Sequence, residues 1–206
     1  TEIIRQHKEN ISPNMGQQPI INRTLALLHQ EIEASRQMCS SLLGLALGVP
    51  GLVDRGSGTL LFAPNLNWKN VPLSNILHRE FNLPVFVDNE ATMAALGEYY
   101  FGAARNVENL IYLSVGVGLG GGIIIKGKLF RGTNGFAGEI GHMTVVPDGE
   151  LCGCGKRGCW ETVVGPRAVI RRVRQAIEGE DDTDIPNLVN NDLDRIDLDV
   201  VIQAAH

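Results

Sequence analysis

The residues best suited to chemistry are crowded into one short stretch. His142 is followed, ten positions on, by Cys152-Gly153-Cys154-Gly155-Lys156-Arg157-Gly158-Cys159. Three thiols and an imidazole are the borderline-soft donors that a tetrahedral zinc ion prefers, and the glycines between them let a tight loop fold its sulfurs inward. Four protein ligands leave no coordination position open, so the metal this set predicts is structural rather than catalytic. The competing reading is a loop of free cysteines beside an unrelated histidine. Cys39 stands apart from the group and reads as a small core filler.

A second candidate is Gly116-Val117-Gly118-Leu119-Gly120-Gly121-Gly122, which formally fits G-x-G-x-x-G. A dinucleotide site needs a helix after the glycines, so that the pyrophosphate meets its N-terminus. Ile123-Ile124-Ile125 reads as a strand instead, and dinucleotide binding is rejected. Two readings stay open for Gly116, Gly118 and Gly120: a phosphate-loop-like nest of backbone N–H groups, or a tight hairpin with room for close packing. A third set, Asn65, Asn89, Glu90, Glu139, His142 and Glu161, scatters amides and carboxylates among apolar strands. Such groups exchange hydrogen bonds with the hydroxyls of a sugar, although each taken alone is also a common cap or surface residue.

The elements that must position these groups follow from periodicity. Ile20, Ile21, Leu25, Leu28 and Ile32 recur at helical spacing, and the apolar run from Leu42 to Val49 predicts a buried strand ended by Pro50-Gly51. A short Leu60–Phe62 stretch and a loop from Ala63 to Trp68 precede a helix with Leu73, Ile76, Leu77 and Phe81 on one face. The strand Pro84 to Val87 runs into Asp88-Asn89-Glu90, polar residues placed to cap a helix from Ala91 to Phe101. From Leu110 the pattern becomes consecutive antiparallel strands, Leu110 to Val115, Ile123 to Ile125 and Lys128 to Arg131, with a Lys126-Gly127 turn. A helix from Pro166 to Glu178, a solvated acidic loop from Glu178 to Asp182 and a last helix at Val201 to His206 complete the chain. The whole is α/β, with a boundary near Gly102–Asn106 that separates residues 1–104 from residues 105–206.

Composition narrows the function classes. With 206 residues, 44% hydrophobic and 20% charged, the chain is long enough to bury a real core and has no apolar run that would span a bilayer. A formal charge of -5 argues against a nucleic-acid surface on these residues. Crowded cysteines point to a reducing, cytoplasmic setting, and both ends read as cut from a longer protein.

Pro64-Asn65-Leu66-Asn67-Trp68, Val87-Asp88-Asn89-Glu90-Ala91 with Ala94-Ala95-Leu96-Gly97-Glu98, the glycine turn, Ala137-Gly138-Glu139-Ile140-Gly141-His142, and Cys152 to Glu161 together resemble the ROK family of repressors and sugar kinases. The motifs stand in the family's order over roughly Leu43 to Pro166. This resemblance implies an actin-like ATPase (RNase H-like) fold of two lobes with a sugar cleft between them and a structural zinc loop. It also implies sugar contacts from Asn65, Asn89, Glu90, Glu139, His142 and Glu161, with His142 shared between zinc and sugar.

Two positions depart from the family's kinase pattern. Glu90 occupies the place of an Asp that serves as general base, and its extra methylene displaces the carboxylate by about 1 Å, a shift that costs about 100-fold in rate. Val117 stands where the kinases carry Thr, removing a hydroxyl from the phosphate's surroundings. The expectation is therefore the sugar-sensing part of a regulator similar to the xylose-operon repressors. Its partners would be a monosaccharide, operator DNA through a helix-turn-helix outside these residues, and further copies of itself. The alternative is a glucokinase-like enzyme using ATP and Mg2+.

Overall fold

The computed structural model describes residues 3–38, 41–179 and 183–205. Cys39, the acidic residues Glu180, Asp181 and Asp182, and His206 lie outside the described residues, and so do the expectations of a core filler and of a solvated acidic loop. The chain divides into two compact units, Thr1–Leu110 with Gly122–Ala137, and Ile111–Gly121 with Gly138–His206.

In the first unit α1 (Gln17–Met38) turns the apolar stripe read from the sequence inward, with Ile20, Ile21 and Ile32 buried. β1 (Leu45–Val49) follows. β2 (Leu52–Asp54), β3 (Thr59–Ala63) and β4 (Trp68–Val71) then form an antiparallel sheet in that order. The stretch expected as a loop from Ala63 to Trp68 is in fact a closed hairpin, with Ala63 in register with Trp68 around the 3-10 turn Pro64–Leu66. Pro64 presets the turn's first φ, and Asn67 takes the left-handed conformation at φ 54, which Asn tolerates well. Burial of Leu60, Ala63, Trp68 and Val71 in one core cluster with Ile20, Ile21 and Val49 holds the sheet to α1 and β1.

α2 (Leu73–Phe81) buries Leu73, Leu77 and Phe81 at four-residue spacing and stops at Asn82, left-handed at φ 51, whose N–H donates to the His78 carbonyl. β5 (Val85–Asn89) lies parallel to β1, with Leu45 opposite Val85 and Val49 opposite Asn89. That register delivers Asp88, Asn89 and Glu90 to the end of the strand pair. α3 (Glu90–Tyr100) begins there, and Asn89 caps it by accepting from the Thr92 N–H at 3.1 Å.

β6 (Leu110–Val115), β7 (Leu119–Ile125) and β8 (Lys128–Leu129) make a sheet of that order. β7 and β8 are antiparallel, with Ile124 opposite Leu129. The strand expected to run to Arg131 ends at Leu129. Phe130 still donates to the Ile123 carbonyl, but the Arg131 carbonyl accepts from Ala137 and closes a separate loop.

The second unit holds the 3-10 turn Ile140–His142, the cysteine loop, α4 (Glu161–Val164), α5 (Pro166–Glu178), α6 (Ile185–Leu188) and α7 (Leu198–Ala204). Pro166 at the first helical position starts α5, where its missing N–H leaves no donor unsatisfied. Ile170, Val173 and Ile177 of α5 pack around Ile185, Val189 and Ile196. Among the described residues no helix is long and apolar enough to cross a membrane.

Candidate functional site

The cysteine loop is shaped by its own backbone. Single antiparallel bridges join Thr144 to Cys159 and Leu151 to Arg157, and Cys152 donates its N–H to the Lys156 carbonyl at 2.8 Å. Gly158, at φ 68, is required here: a Cβ would lie 1.6 Å from the Val146 carbonyl oxygen. Arg171 of α5 reaches back to Glu150 at 2.6 Å and ties the loop to the helix.

The loop brings His142, Cys152, Cys154 and Cys159 together, with one donor atom from each lying within 4.8 Å of all the others. Cys154 Sγ stands 3.7 Å from Cys159 Sγ, and Cys152 Sγ stands 3.5 Å from His142 Nδ1. Cys152 and Cys159 are buried. Burial, the hydrogen bonds among the thiols and the repulsion of Cys154 push the Cys152 thiol up to about 12. Burial also acts to raise Cys154, yet the Lys156 N–H, hydrogen bonds from the other two thiols and the Lys156 charge bring it below the usual thiol range. One thiolate is thus supported by its neighbours, while further charging is resisted. A divalent cation is the group that lets all three lose their protons, and these four residues could hold one.

Around this cluster sit two carboxylates from the sequence reading. Glu139 Oε2 lies 3.9 Å from His142 Nε2, so the imidazole points one nitrogen at the thiols and the other at a carboxylate. Glu161 Oε2 accepts from the Leu119 N–H at 2.9 Å, and its Oε1 is 3.8 Å from Cys152 Sγ. Burial raises the Glu139 carboxyl, the charge of His142 lowers it and that of Glu161 raises it again, with a net rise. The turn carrying His142 rests directly on β7: a Cβ at Gly141 would lie 2.0 Å from the Leu119 carbonyl oxygen, and one at Gly121 would lie 2.4 Å from the Ile140 side chain.

Gly116 donates its N–H to the Gly118 carbonyl at 2.9 Å, which commits a donor that a phosphate nest would use, and Gly120 belongs to β7. Asn65 is exposed on the 3-10 turn Pro64–Leu66. Asn89 is pinned at both ends of its amide, with Oδ1 accepting from Thr92 and Nδ2 donating to the Gly51 carbonyl at 3.0 Å. Glu90 opens α3 at an exposed position, and partial desolvation of its carboxyl there raises it.

Sequence reasoning missed the ion cluster beside them. Asp88 takes Arg131 bidentately, at 2.6 and 3.3 Å, and Arg55 at 3.3 Å. Arg55, Arg131 and Asn134 also line an open cleft of about 360 Å³ in the first unit. No local spacing joins Asp88 to a residue 43 positions away, so no sequence signal could have found the pair.

The ROK family pattern matches residues 2–203. The chain belongs to the ROK family. It is 42% identical over 205 residues to a xylose repressor of Caldicellulosiruptor bescii, a match that covers 99% of this chain and 51% of that protein. To a glucokinase of Streptomyces coelicolor it is 46% identical over 134 residues, 65% of this chain and 42% of the relative. This ROK chain thus spans about half the length of the curated relatives it matches. Its α/β fold is shared with a ROK family glucokinase from Streptomyces griseus in complex with glucose and AMPPNP (TM-score 0.74, 41% identity, 80% of this chain and 54% of that one). A ROK family transcriptional regulator, homologous to the E. coli MLC protein, aligns with TM-score 0.77 and 30% identity over 90% of this chain and 46% of that one.

Proposed function

We propose that this ROK chain is the sugar-sensing effector part of a transcriptional regulator, with a structural zinc ion held by His142, Cys152, Cys154 and Cys159. The observation that carries the regulator reading is the reach of the likeness, 99% of the chain for the C. bescii xylose repressor against 65% for the S. coelicolor glucokinase. Glu90 in place of an aspartate base, and Val117 within the glycine turn, support the same reading.

Two edges of the donor set match the dimensions of a zinc site, and all four donor atoms lie within 4.8 Å of one another. Tetrahedral geometry with Zn–S near 2.3 Å and Zn–N near 2.05 Å demands a sulfur–sulfur edge of about 3.8 Å and a sulfur–nitrogen edge of about 3.6 Å. The corresponding separations here are 3.7 and 3.5 Å. When bound, the ion would neutralise the thiolates and lock the loop; it would supply no reacting position. The chain's own residues do the rest. His142, fixed through Nδ1, presents Nε2 beside Glu139, and Glu139 and Glu161 accept from sugar hydroxyls. Asn65, Asn89 and Glu90 supply the further contacts, Asn89 through the amide hydrogen and lone pair left over from capping. Residues 1–104 are read as the remainder of an N-terminal lobe and residues 105–206 as the C-terminal lobe, in a cytoplasmic homo-oligomer.

Sugar binding would bias two conformations of the intact regulator through differential affinity, and so alter operator binding by a helix-turn-helix outside these residues. The test is calorimetry of the intact protein against pentoses, hexoses and amino sugars, together with a coupled assay for ADP. The expected result is monosaccharide binding without sugar-dependent ADP release. Turnover at about 1–100 per second would make the protein an ATP- and Mg2+-dependent sugar kinase instead.

A further inference from the structure

Asp88 is the penultimate residue of β5, immediately before the two residues assigned to sugar. Its Oδ1 accepts from the Asn89 N–H at 2.9 Å and from Arg131 Nη1 at 3.3 Å; its Oδ2 accepts from Arg131 Nη2 at 2.6 Å, with Arg55 Nε at 3.3 Å. A carboxylate offers about four lone-pair sites. Hydrogen bonds from Asn89 and Arg131 fill three of them and the Arg55 cation lies against Oδ2, so Asp88 acts as an anchor. The Arg131 side chain is 22% exposed and that of Arg55 52%, which makes the forked Arg131 contact the ordered member of the pair.

What the anchor holds is the β5–α3 junction. Asp88 is fixed by Arg131, and the next residue, Asn89, is fixed by the Thr92 N–H and the Gly51 carbonyl. With two consecutive residues pinned, the backbone leaves Glu90 little choice of direction. Arg131 is itself held, because its carbonyl accepts from the Ala137 N–H at 2.9 Å and closes the loop 131–137. That loop leads straight into Gly138 and Glu139.

We infer that Arg131, acting through Asp88, is a positioning residue that sets the geometry of Asn89 and Glu90 for ligand binding. The inference rests on the sugar-sensing reading. A purely structural ion pair would lower thermal stability when broken but leave the affinity of the folded protein untouched. A positioning pair changes affinity, because misplacing a hydrogen-bonding group by about 1 Å weakens what it binds.

The experiment uses the intact protein with Arg131→Met, which removes charge and fork, and Arg131→Lys, which keeps the charge but loses the planar fork. Monosaccharide affinity is measured by calorimetry well below the thermal midpoint, and amide exchange is measured at Thr92, the N–H that Asn89 caps. The expected result is sugar binding weakened about 10- to 100-fold in Arg131→Met and by an intermediate factor in Arg131→Lys, with faster exchange at Thr92 in both. Should Arg131→Met fail to fold, Arg131→Lys carries the test. Affinity unchanged within about twofold, with only the midpoint lowered, overturns the proposal and leaves the sugar reading intact. A wild-type protein that binds no monosaccharide in the panel removes the sugar reading, and this inference with it.

Discussion

Burial first, and then the neighbouring thiols, push Cys152 up to about 12, while the Lys156 N–H and hydrogen bonds from the other two thiols bring Cys154 below its usual range. A cation bound among them lets all three lose their protons, so Cys154→Ser is expected to abolish stoichiometric zinc. It should also destabilise the protein by about 4 kcal/mol, the range reached when a metal is lost. Elemental analysis and thermal unfolding of the purified variant check both. Glu90 gives a pH-dependent prediction. Burial raises its folded-state carboxyl above the unfolded value, so the folded state holds the proton more tightly. Its favourable contribution is full below the ordinary glutamate range and is lost as pH rises through the folded value. Glu90→Gln should therefore be more stable than wild type near neutral pH, with the gap closing as the pH falls below about 4. Unfolding midpoints between those limits measure it. At this scale the clustering of His142, Cys152, Cys154 and Cys159 was legible because soft donors at close spacing admit few other uses. The Asp88–Arg131 pair was not, since charge pairing over long sequence separation leaves no periodic trace.

Among the elements, α1 and α2 announced themselves through apolar spacing, and α3 through the Asn89 cap. The hairpin around Pro64–Leu66 did not. Its turn residues read equally well as a loop, and only the burial of Trp68 against the β3 sheet decides the matter. The glycine run was half legible: its residues do allow close packing, but the partners were invisible. Gly122 is the clearest case, since a Cβ there would lie 2.4 Å from the Ala95 Cβ on α3. Gly122→Ala should lower stability by about 1–3 kcal/mol through overpacking. Pairing it with Ala95→Gly should recover part of that loss, less about 1 kcal/mol for glycine in a helix. Urea unfolding of the two single variants and the double variant resolves the coupling.

For the whole molecule, ligand and fold are linked. A monosaccharide that binds only the folded protein raises its stability by about 2.7 kcal/mol at a hundredfold excess over Kd. The regulator reading expects sugar to produce that rise and ATP to add nothing further, which differential scanning calorimetry with each ligand alone and together would show. The cysteine loop belongs with the proposed sugar site because His142 would serve both: its Nδ1 faces Cys152, and its Nε2 faces Glu139, a proposed sugar contact. The most direct measurement is therefore a calorimetric sugar titration of the intact protein, purified under reducing conditions, before and after its metal is stripped by a chelator. Stoichiometric zinc is expected at the start, with affinity weakened at least about tenfold once the zinc is gone. Equal affinity in the stripped and loaded protein, or no metal to strip, would contradict it.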